Sequence, residues 1–288
     1  MKTLSEYVKE AEDKKVAIGH FNISNIEGFW AVVKAAKNLS LPVIIGVSEG
    51  ERDFVGIRQA AALVKSYREE TGQPVFLNAD HTYTFDRVKE AVDAGFDSVI
   101  YDGAEKSFED NIKETKKCRD YIDASGRNVI LEGELGYIGK SSKILDDIPD
   151  GAAQGDDNLT KAEDARRFVE ETGVNLLAPA VGNIHGMLKG GKDPALNVKR
   201  VREIKEASGV PLVLHGGSGN SKDDFKEAIK EGVAIVHINT EIRVAYKNAL
   251  KLFLQDNPDE VAPYKIMKSS VVAMQKVIED KLKLFNNL

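Results

Sequence analysis

The sequence predicts an α/β protein folded as a closed (β/α)8 barrel, and three observations carry this prediction. Short β-branched runs alternate with longer amphipathic segments along the 288 residues, which is typical of parallel strands joined by crossover helices. Eight such units can be counted, and one barrel of this length is ordinary. Polar residues recur where the strands end, as expected at the mouth of a barrel. We therefore treat residues 1–288 as a single barrel domain.

The predicted strands are the runs 16–22, 42–48, 75–81, 98–103, 128–136, 175–182, 211–217 and 234–240. Segments between them, such as IEGFWAVVKAAKNL and FDRVKEAVDAG, carry apolar residues at three- and four-residue spacing, which indicates helices packed on the sheet. Thr160 with Glu163, and Ser221 with Asp224, have the spacing of capping boxes that begin helices.

Two segments fall outside the repeat. Residues 137–159 are rich in Gly and Asp and follow the fifth strand at its carboxyl end, so we predict a mobile active-site loop there. Residues 257–288 have an amphipathic pattern and are predicted to form a C-terminal helical extension, packed on the barrel or on a second subunit.

Composition narrows the class of protein. No apolar run approaches the roughly 20 residues of a membrane span, and the polar N-terminus does not resemble a signal peptide. A net charge of −6 with dispersed Lys and Arg argues against nucleic-acid binding. The single cysteine, Cys118, cannot form an internal disulfide. A cytoplasmic protein is therefore expected.

Three of the five histidines lie at or just beyond the ends of apolar runs that indicate strands; they are His81, His185 and His215. Three neutral imidazoles and an open position are the arrangement of a catalytic zinc, although each histidine alone could be a hydrogen-bonded structural group. Only the barrel can bring together residues so far apart in sequence. Cobalt or iron fits the same ligands. His20 lies within the first strand, and we leave it out of the site.

Carboxylates accompany these histidines. Asp80 immediately precedes His81 and is a candidate general acid or base, or a hydrogen-bond partner of a ligand histidine. Asp102 and Glu134 lie near the carboxyl ends of the predicted fourth and fifth strands. Either could orient a ligand, bind a second cation such as a monovalent ion, or pair with a basic residue.

A glycine-rich turn, GGSG at 216–219, precedes a helix and would present backbone N–H groups to an anion. The eighth strand ends in Asn239 and Thr240, and barrels frequently bind phosphate between the loops after their last two strands. Lys189 could add positive charge or be solvated. The ligand is therefore expected to carry phosphate.

At these residues the chain resembles the zinc-dependent class II aldolases of ketose bisphosphates, which act on fructose or tagatose bisphosphate. The matching runs span almost the whole chain, from AIGHFNISNIEGFWAVVKAA through LNADHTYTFDRVKEAVDAGFDSVIYDGA, EGELGYIG, HGMLKG and PLVLHGGSG to HINTEIRVAY. The resemblance implies zinc on the three histidines and proton transfer by Asp80 at the aldehyde-derived oxygen. The candidate substrate-binding residues are Asn22, Ser48, Gly186, Lys189, Gly216, Gly217, Ser218, His237, Asn239 and Thr240.

The implied mechanism is Lewis-acid catalysis, in which zinc draws electron density from the ketone and hydroxyl oxygens of dihydroxyacetone phosphate. A Schiff-base aldolase would need a lysine inside the barrel mouth, and none of the eight strand runs contains one.

Three positions depart from the family pattern. His237 stands where fructose-type members usually carry Asn. The loop after the fifth strand lacks the Glu of the usual GGxED, which leaves Asp146 or Asp147 as a substitute carbon base. The arginine that often binds the distal phosphate is not evident, and Lys268 is the nearest basic residue. An aldehyde half without phosphate would fit this third departure.

We predict an enzyme of glycolysis and gluconeogenesis, a class II aldolase that reversibly cleaves fructose 1,6-bisphosphate to dihydroxyacetone phosphate and glyceraldehyde 3-phosphate. A tagatose-bisphosphate or other dihydroxyacetone-phosphate aldolase is the alternative within the class. A noncatalytic sugar-phosphate-binding protein is the alternative of another class, and it predicts binding without turnover. The expected partner is a phosphosugar, with no nucleic acid and no membrane, and the expected assembly is a homodimer or homotetramer.

Overall fold

The computed structural model describes residues 2–140, 142–152, 155–190 and 193–288. The strands in these ranges are β1 (Ile18–Asn22), β2 (Val43–Val47), β3 (Val75–Thr82), β4 (Ser98–Tyr101), β5 (Ile130–Leu135), β6 (Ile144–Leu145), β7 (Leu176–Pro179), β8 (Met187–Leu188), β9 (Leu212–Leu214) and β10 (Val233–Ile238). All except β6 and β8 form a closed parallel barrel in which β10 pairs with β1. The predicted (β/α)8 barrel is confirmed. The strands β6 and β8 pair with each other outside it.

Helices follow the strands along the chain. They are α1 (Leu4–Lys14), α2 (Ile26–Leu39), α3 (Glu49–Val55), α4 (Ile57–Thr71), α5 (Phe85–Ala94), α6 (Phe108–Ser125), α7 (Ala162–Thr172), α8 (Val198–Ser208), α9 (Lys222–Lys230), α10 (Thr240–Asp256), α11 (Pro263–Ile266) and α12 (Lys268–Phe285). Across the described ranges, none of them has both the length and the apolar character that a bilayer crossing requires.

One of the two predicted capping boxes is confirmed. The Ser221 and Asp224 side chains each accept a hydrogen bond from the other's backbone N–H at 3.1 Å, and α9 begins there. The box at Thr160 is wrong, because α7 begins one residue later, after Lys161. The Thr160 hydroxyl instead donates to the buried carbonyl of Leu135 at 2.5 Å, which ties the approach to α7 to the end of β5.

The interior of the barrel is layered, because side chains alternate in direction along each strand. The lowest layer is apolar and packs against Leu4 and Val8 of α1, which closes the N-terminal end; it comprises Ile18, Ile44, Phe76, Ile130, Leu176, Val213 and Ile235. Two residues further along their strands, the layer is polar and buried, and it comprises His20, Asn78, Glu132 and His237. An apolar floor therefore supports polar groups directly beneath the strand ends.

The C-terminal helical extension is confirmed, and it packs on the barrel. Helix α12 lies against α2 and α10 and covers the outer face of β1. Its buried side chains include Met274, Ile278 and Leu282, which recur every fourth residue. The approach to β1 is close, since a Cβ at Gly19 would lie 2.9 Å from the Leu282 side chain. Because glycine has no side chain, α12 can pack this closely on β1.

Candidate active site and metal centre

The three predicted ligands converge at the carboxyl ends of the strands. His81 lies at the end of β3, His185 in the loop after β7, and His215 directly after β9, and one ligand nitrogen of each lies within 4.8 Å of the other two. His81 Nε2 and His215 Nδ1 are 3.2 Å apart. Two nitrogens bound to one tetrahedral zinc at about 2.05 Å lie about 3.3 Å apart, so this separation suits a shared ion.

The second nitrogen of each imidazole contacts an acceptor. The acceptors are Asp102 Oδ2 for His81 Nδ1 (2.9 Å), Glu132 Oε1 for His215 Nε2 (2.7 Å) and the Gly139 carbonyl for His185 Nδ1 (2.5 Å). Such contacts fix the ring orientation and the tautomer of a metal ligand. They leave one nitrogen of each ring for the centre, a donor set that suits zinc, cobalt or iron.

The pKa values within this cluster describe a site for one positive charge. Burial would lower the pKa of His81, but the carboxylates of Asp80 and Glu134 outweigh it and raise that pKa well above its ordinary value. Burial and the charge of His81 lower the pKa of His185 to about 4. Burial, with His237 and His81 nearby, holds the pKa of His215 well below its ordinary value. A cation at the centre would satisfy the surrounding carboxylates in the same way as the His81 proton.

The backbone at His81 adopts a left-handed conformation with φ of 41°, which is uncommon for a residue with a side chain. The β3–β4 register shifts between Ala79 and Thr82, on either side of Asp80 and His81. Arg52, which is buried, donates to the carbonyls of Val47 at 2.7 Å and Asp80 at 3.2 Å. This guanidinium therefore holds the strained end of β3 to β2.

Asp80 is a buried carboxylate beside the candidate metal ligands. Its Oδ2 accepts a hydrogen bond from Asn22 Nδ2 at 2.8 Å, and its Oδ1 lies 3.4 Å from His237 Nδ1. Burial would raise the pKa of Asp80, but the charge of His81 and the hydrogen bond from His237 hold it well below its usual range. The ionised form that results can accept a proton from a ligand hydroxyl.

His20, which was left out of the predicted site, is not among the residues that line the cavity at the strand ends, but it packs against His237, which does line it. Its ring stacks on that of His237 with centroids 3.4 Å apart and planes 3° apart. His20 Nε2 lies 3.1 Å from Asn78 Oδ1. Burial and then the proximity of His20 lower the pKa of His237 to about 3, which makes this ring neutral. His20 and His237 are register partners on β1 and β10, so the two rings stack side by side within the same buried layer.

These groups surround a cavity of about 250 Å³. The candidate residues that line it are Asn22, Ser48, Asp80, His81, His185, Gly186, His215, Gly216, Ser218, His237, Asn239 and Thr240. Glu49, Tyr83, Lys140, Ser142 and Arg243 also line it, and sequence reasoning did not single them out. Lys140 and Ser142 show that part of segment 137–159 lies over the site.

One end of the cavity is suited to an anion. Gly216 has φ of 61°, and a Cβ there would lie 2.1 Å from the Ile184 carbonyl, so only glycine fits. The Gly217 N–H donates a hydrogen bond to the His237 carbonyl, so it is not free for an anion. At Gly216 the turn therefore presents backbone and no side chain to the cavity.

The same end receives the N-terminus of α10. Thr240 is its first residue, and the preceding Asn239 has a buried Oδ1 without a hydrogen-bond partner. Ser218, also buried, lies opposite on the glycine-rich turn, where its hydroxyl accepts from the backbone N–H of Glu241. Helix N-termini attract anions through unpaired N–H groups.

Six candidate residues lie outside the cavity lining, and two of them, Asp102 and Glu134, face His81. The Lys189 and Asp146 side chains pair at 3.6 Å beside the β6–β8 strands and are 78% and 86% exposed. Asp147 is exposed next to them. Gly217 lies behind the lining, within the turn. The β6–β8 pairing directs the Lys189, Asp146 and Asp147 side chains toward solvent. Lys268 borders a separate surface depression.

The two carboxylates considered for a second cation both face His81. Asp102 Oδ2 lies 2.9 Å and Glu134 Oε2 lies 3.3 Å from the same ring nitrogen, Nδ1. The N–H points to the nearer oxygen, which leaves Glu134 Oε2 without a hydrogen bond. Burial and then Asp102 raise the pKa of Glu134 to about 7. The protonation state of Glu134 therefore depends on the charge held between the three histidines.

Three further residues that were not predicted from the sequence, Glu132, Arg243 and Glu51, contact groups of the candidate site. Glu132 is two residues before Glu134, so strand alternation places both on the inward face of β5. Arg243 is three residues after Thr240, a spacing that places both on one side of α10. Glu51 is three residues after Ser48, the spacing of a capping box at the start of α3. Its contacts with Asn22 and Arg243 carried no such signal, because these partners lie on other elements.

The closed barrel with a polar cavity at the carboxyl ends of its strands places the chain among the (β/α)8-barrel enzymes. Residues 2–288 match the family model described as fructose-bisphosphate aldolase class-II, and the chain belongs to that family.

Relatives agree over nearly the full length. The chain is 34% identical to the fructose-bisphosphate aldolase of Staphylococcus epidermidis over 286 residues, covering 98% of this chain and 96% of that one. It is 34% identical to the probable fructose-bisphosphate aldolase of Bacillus subtilis over 288 residues, covering 99% and 97%. The crystal structure of the YdjI aldolase from Escherichia coli K12 superimposes with a TM-score of 0.82 at 30% identity, covering 98% and 96%.

Proposed function

We propose that this protein is a metal-dependent aldolase that reversibly cleaves fructose 1,6-bisphosphate into dihydroxyacetone phosphate and glyceraldehyde 3-phosphate. The observation that carries the proposal is the cluster of three imidazoles, each held by an acceptor on its second nitrogen. The names of the Staphylococcus epidermidis and Bacillus subtilis relatives support fructose 1,6-bisphosphate as the substrate.

Zinc is the proposed metal, held by His81, His185 and His215. When bound, it supplies a Lewis acid that polarises the ketone of the substrate. The 3.2 Å separation of two of the ligand nitrogens and the set of three imidazole donors support this choice. Asp102 and Glu134 contact the same nitrogen of His81, which supports an orienting role; a monovalent cation between them is the alternative.

The protein groups divide the substrate between two ends of the cavity. The backbone around Gly216, together with Ser218, Asn239 and Thr240, would bind the phosphate of the dihydroxyacetone half. In the cleavage direction the Asp80 carboxylate accepts the proton of the hydroxyl that becomes the aldehyde oxygen. In synthesis it returns that proton. Asn22 holds Asp80 in place through its 2.8 Å hydrogen bond.

The test is retro-aldol cleavage by purified protein before chelation, after chelation and after zinc add-back, with tagatose 1,6-bisphosphate assayed in parallel. We expect chelator-sensitive cleavage of fructose 1,6-bisphosphate that zinc restores. Asp146→Asn is the control, since this exposed carboxylate lies outside the cavity and its loss should leave the rate unchanged. A higher rate with the tagatose ester would favour the alternative aldolase. Zinc-loaded protein that binds dihydroxyacetone phosphate but cleaves neither ester would favour a noncatalytic binding protein.

We further propose a homodimer or homotetramer in the cytoplasm. Exposed apolar side chains on and beyond α10, including Leu252, Leu254 and Val261, support self-association because a second subunit could cover them. Sedimentation of the purified chain would measure its assembly state directly.

A further inference from the structure

Glu51 is a buried carboxylate at the edge of the cavity, and only 5% of the residue is exposed. Its Oε2 accepts hydrogen bonds from Asn22 Nδ2 and from the Ser48 backbone N–H, both at 2.8 Å. Its Oε1 accepts from Ser24 Oγ at 3.2 Å and from Arg243 Nη2 at 2.5 Å. Four donors from three parts of the chain therefore converge on one side chain.

These contacts place Glu51 on the aldehyde side of the cavity. The two N–H groups of the Asn22 amide are shared between two carboxylates, since Nδ2 lies 2.8 Å from Glu51 Oε2 and 2.8 Å from Asp80 Oδ2. Asp80 is the group assigned to the aldehyde-derived oxygen. The wall formed by Asn22, Ser48 and Arg243 therefore faces the distal half of the substrate.

The charges at the two ends of the cavity differ. The glycine-rich turn and the N-terminus of α10 offer N–H donors to a phosphate at one end. At the other end the Arg243 side chain is 42% exposed at the mouth, but its charge is matched by the Glu51 carboxylate. Lys140, the other basic residue among the described lining residues, pairs with Glu105 outside the cavity. The distal end therefore presents a neutral ion pair rather than a free cation.

We infer that Glu51 determines specificity on the aldehyde side: by pairing with Arg243 it weakens the preference for a distal phosphate, so that the enzyme also cleaves a ketose 1-phosphate whose aldehyde half is unphosphorylated. This inference rests on the proposed aldolase function and extends it. The wild type should cleave fructose 1-phosphate with kcat/KM within about tenfold of that for fructose 1,6-bisphosphate, because a distal phosphate that faces an already matched arginine gains less than the roughly tenfold that one charge-assisted hydrogen bond contributes.

The experiment compares kcat/KM for the two esters in zinc-loaded wild type and Glu51→Gln. Glutamine keeps the shape of the side chain but removes the charge that matches Arg243. The ratio of bisphosphate to monophosphate kcat/KM should rise about tenfold, mainly through a lower KM for the bisphosphate. Any general effect on Asn22 and Asp80 changes kcat for both substrates and cancels in this ratio. An unchanged or lower ratio overturns the inference, and a lower one would mean that Glu51 orients Arg243 toward phosphate.

Two further variants attribute the effect to the ion pair. The Glu51→Gln change should leave the ratio unaltered when Arg243→Ala is already present, whereas a shift that persists contradicts action through Arg243. Glu6→Gln is the matched control, because Glu6 also accepts from the backbone N–H of a helix-capping residue, Thr3, but lies on α1 at the closed end of the barrel. It should leave the ratio unchanged.

If Glu51→Gln does not fold, Arg243→Ala alone still tests the inference. If Glu51 already neutralises Arg243, this variant should lower the ratio of bisphosphate to monophosphate kcat/KM less than threefold. A fall in that ratio of tenfold or more overturns the inference. Failure of the proposed function is distinguishable: a zinc-loaded wild type that cleaves neither ester refutes both proposals. Normal cleavage with an insensitive ratio refutes only the role of Glu51.

Discussion

The Oε1 atom of Glu132 lies 2.7 Å from Nε2 of His215, on the inner side of the metal centre. Burial, with Asp80 and Glu134 nearby, raises the pKa of Glu132 well above its ordinary value, so a positive charge at the centre is needed to keep it ionised. The contact leaves His215 Nδ1 for the metal. We therefore treat Glu132 as part of the metal site, although it does not line the cavity.

Replacing Glu132 with Gln should weaken zinc binding about 10- to 100-fold, because a neutral amide no longer stabilises the ligand imidazole. Competition with a chromophoric chelator measures this affinity. Asp146→Asn should bind zinc as the wild type does. Equal affinities for Glu132→Gln and wild type would assign Glu132 to packing alone.

Removing the metal should lower thermal stability as well as activity. A ligand at a hundredfold excess over its Kd stabilises the folded state by about 2.7 kcal/mol, which corresponds to about 5 °C or more in Tm for a chain of this size. Thermal unfolding with chelator and with added zinc tests this. His185→Ala should abolish most of the zinc-dependent shift, and an equal shift in that variant would place the ion elsewhere.

Replacing Asp80 with Asn should lower kcat for fructose 1,6-bisphosphate cleavage about a hundredfold or more, because the group that accepts the hydroxyl proton is lost. The side chain keeps its shape and can still contact Asn22. Steady-state kinetics, together with the zinc affinity of the variant, distinguish this loss from damage to the metal site. A parallel loss of zinc would show that Asp80 acts through the ligands instead.

Replacing Arg52 with Met should destabilise the fold by about 3 kcal/mol, because the buried acceptors of Val47, Asp80 and Thr82 lose their donor. Urea unfolding measures the change. Arg166→Met is the matched control: Arg166 pairs with Glu163 and Glu170 on the surface, and its replacement should change stability little. Similar losses in both variants would contradict the assigned role of Arg52.

The Cys118 thiol should be unreactive in the native protein. It is buried on α6, and burial raises its pKa to about 12, so almost no thiolate exists at pH 8. A chromogenic disulfide reagent should react in urea but not under native conditions at that pH. Rapid reaction of the native protein would mean that α6 opens readily.

Much of the site was predictable from local pattern. Strand ends can be recognised from β-branched runs, and a barrel collects all of them at one mouth, so His81, His185, His215 and Asp80 could be placed together without coordinates. The stacking of His20 on His237 could not be predicted from local pattern, because it depends on the pairing of β10 with β1. Asp146 and Lys189 were predicted to lie at the site from their positions in the sequence alone. In the structure they lie on the surface beside the paired strands β6 and β8.

The barrel, its C-terminal helical extension and the three imidazoles follow from the sequence alone, because hydrophobic periodicity and strand ends are local features. The partners of these groups depend on the folded chain. Glu132 meets His215, and Glu51 meets Asn22 and Arg243, across elements far apart in the chain. Arg243 reaches Glu51 because barrel closure places β10 beside β1, and no local pattern specifies that contact.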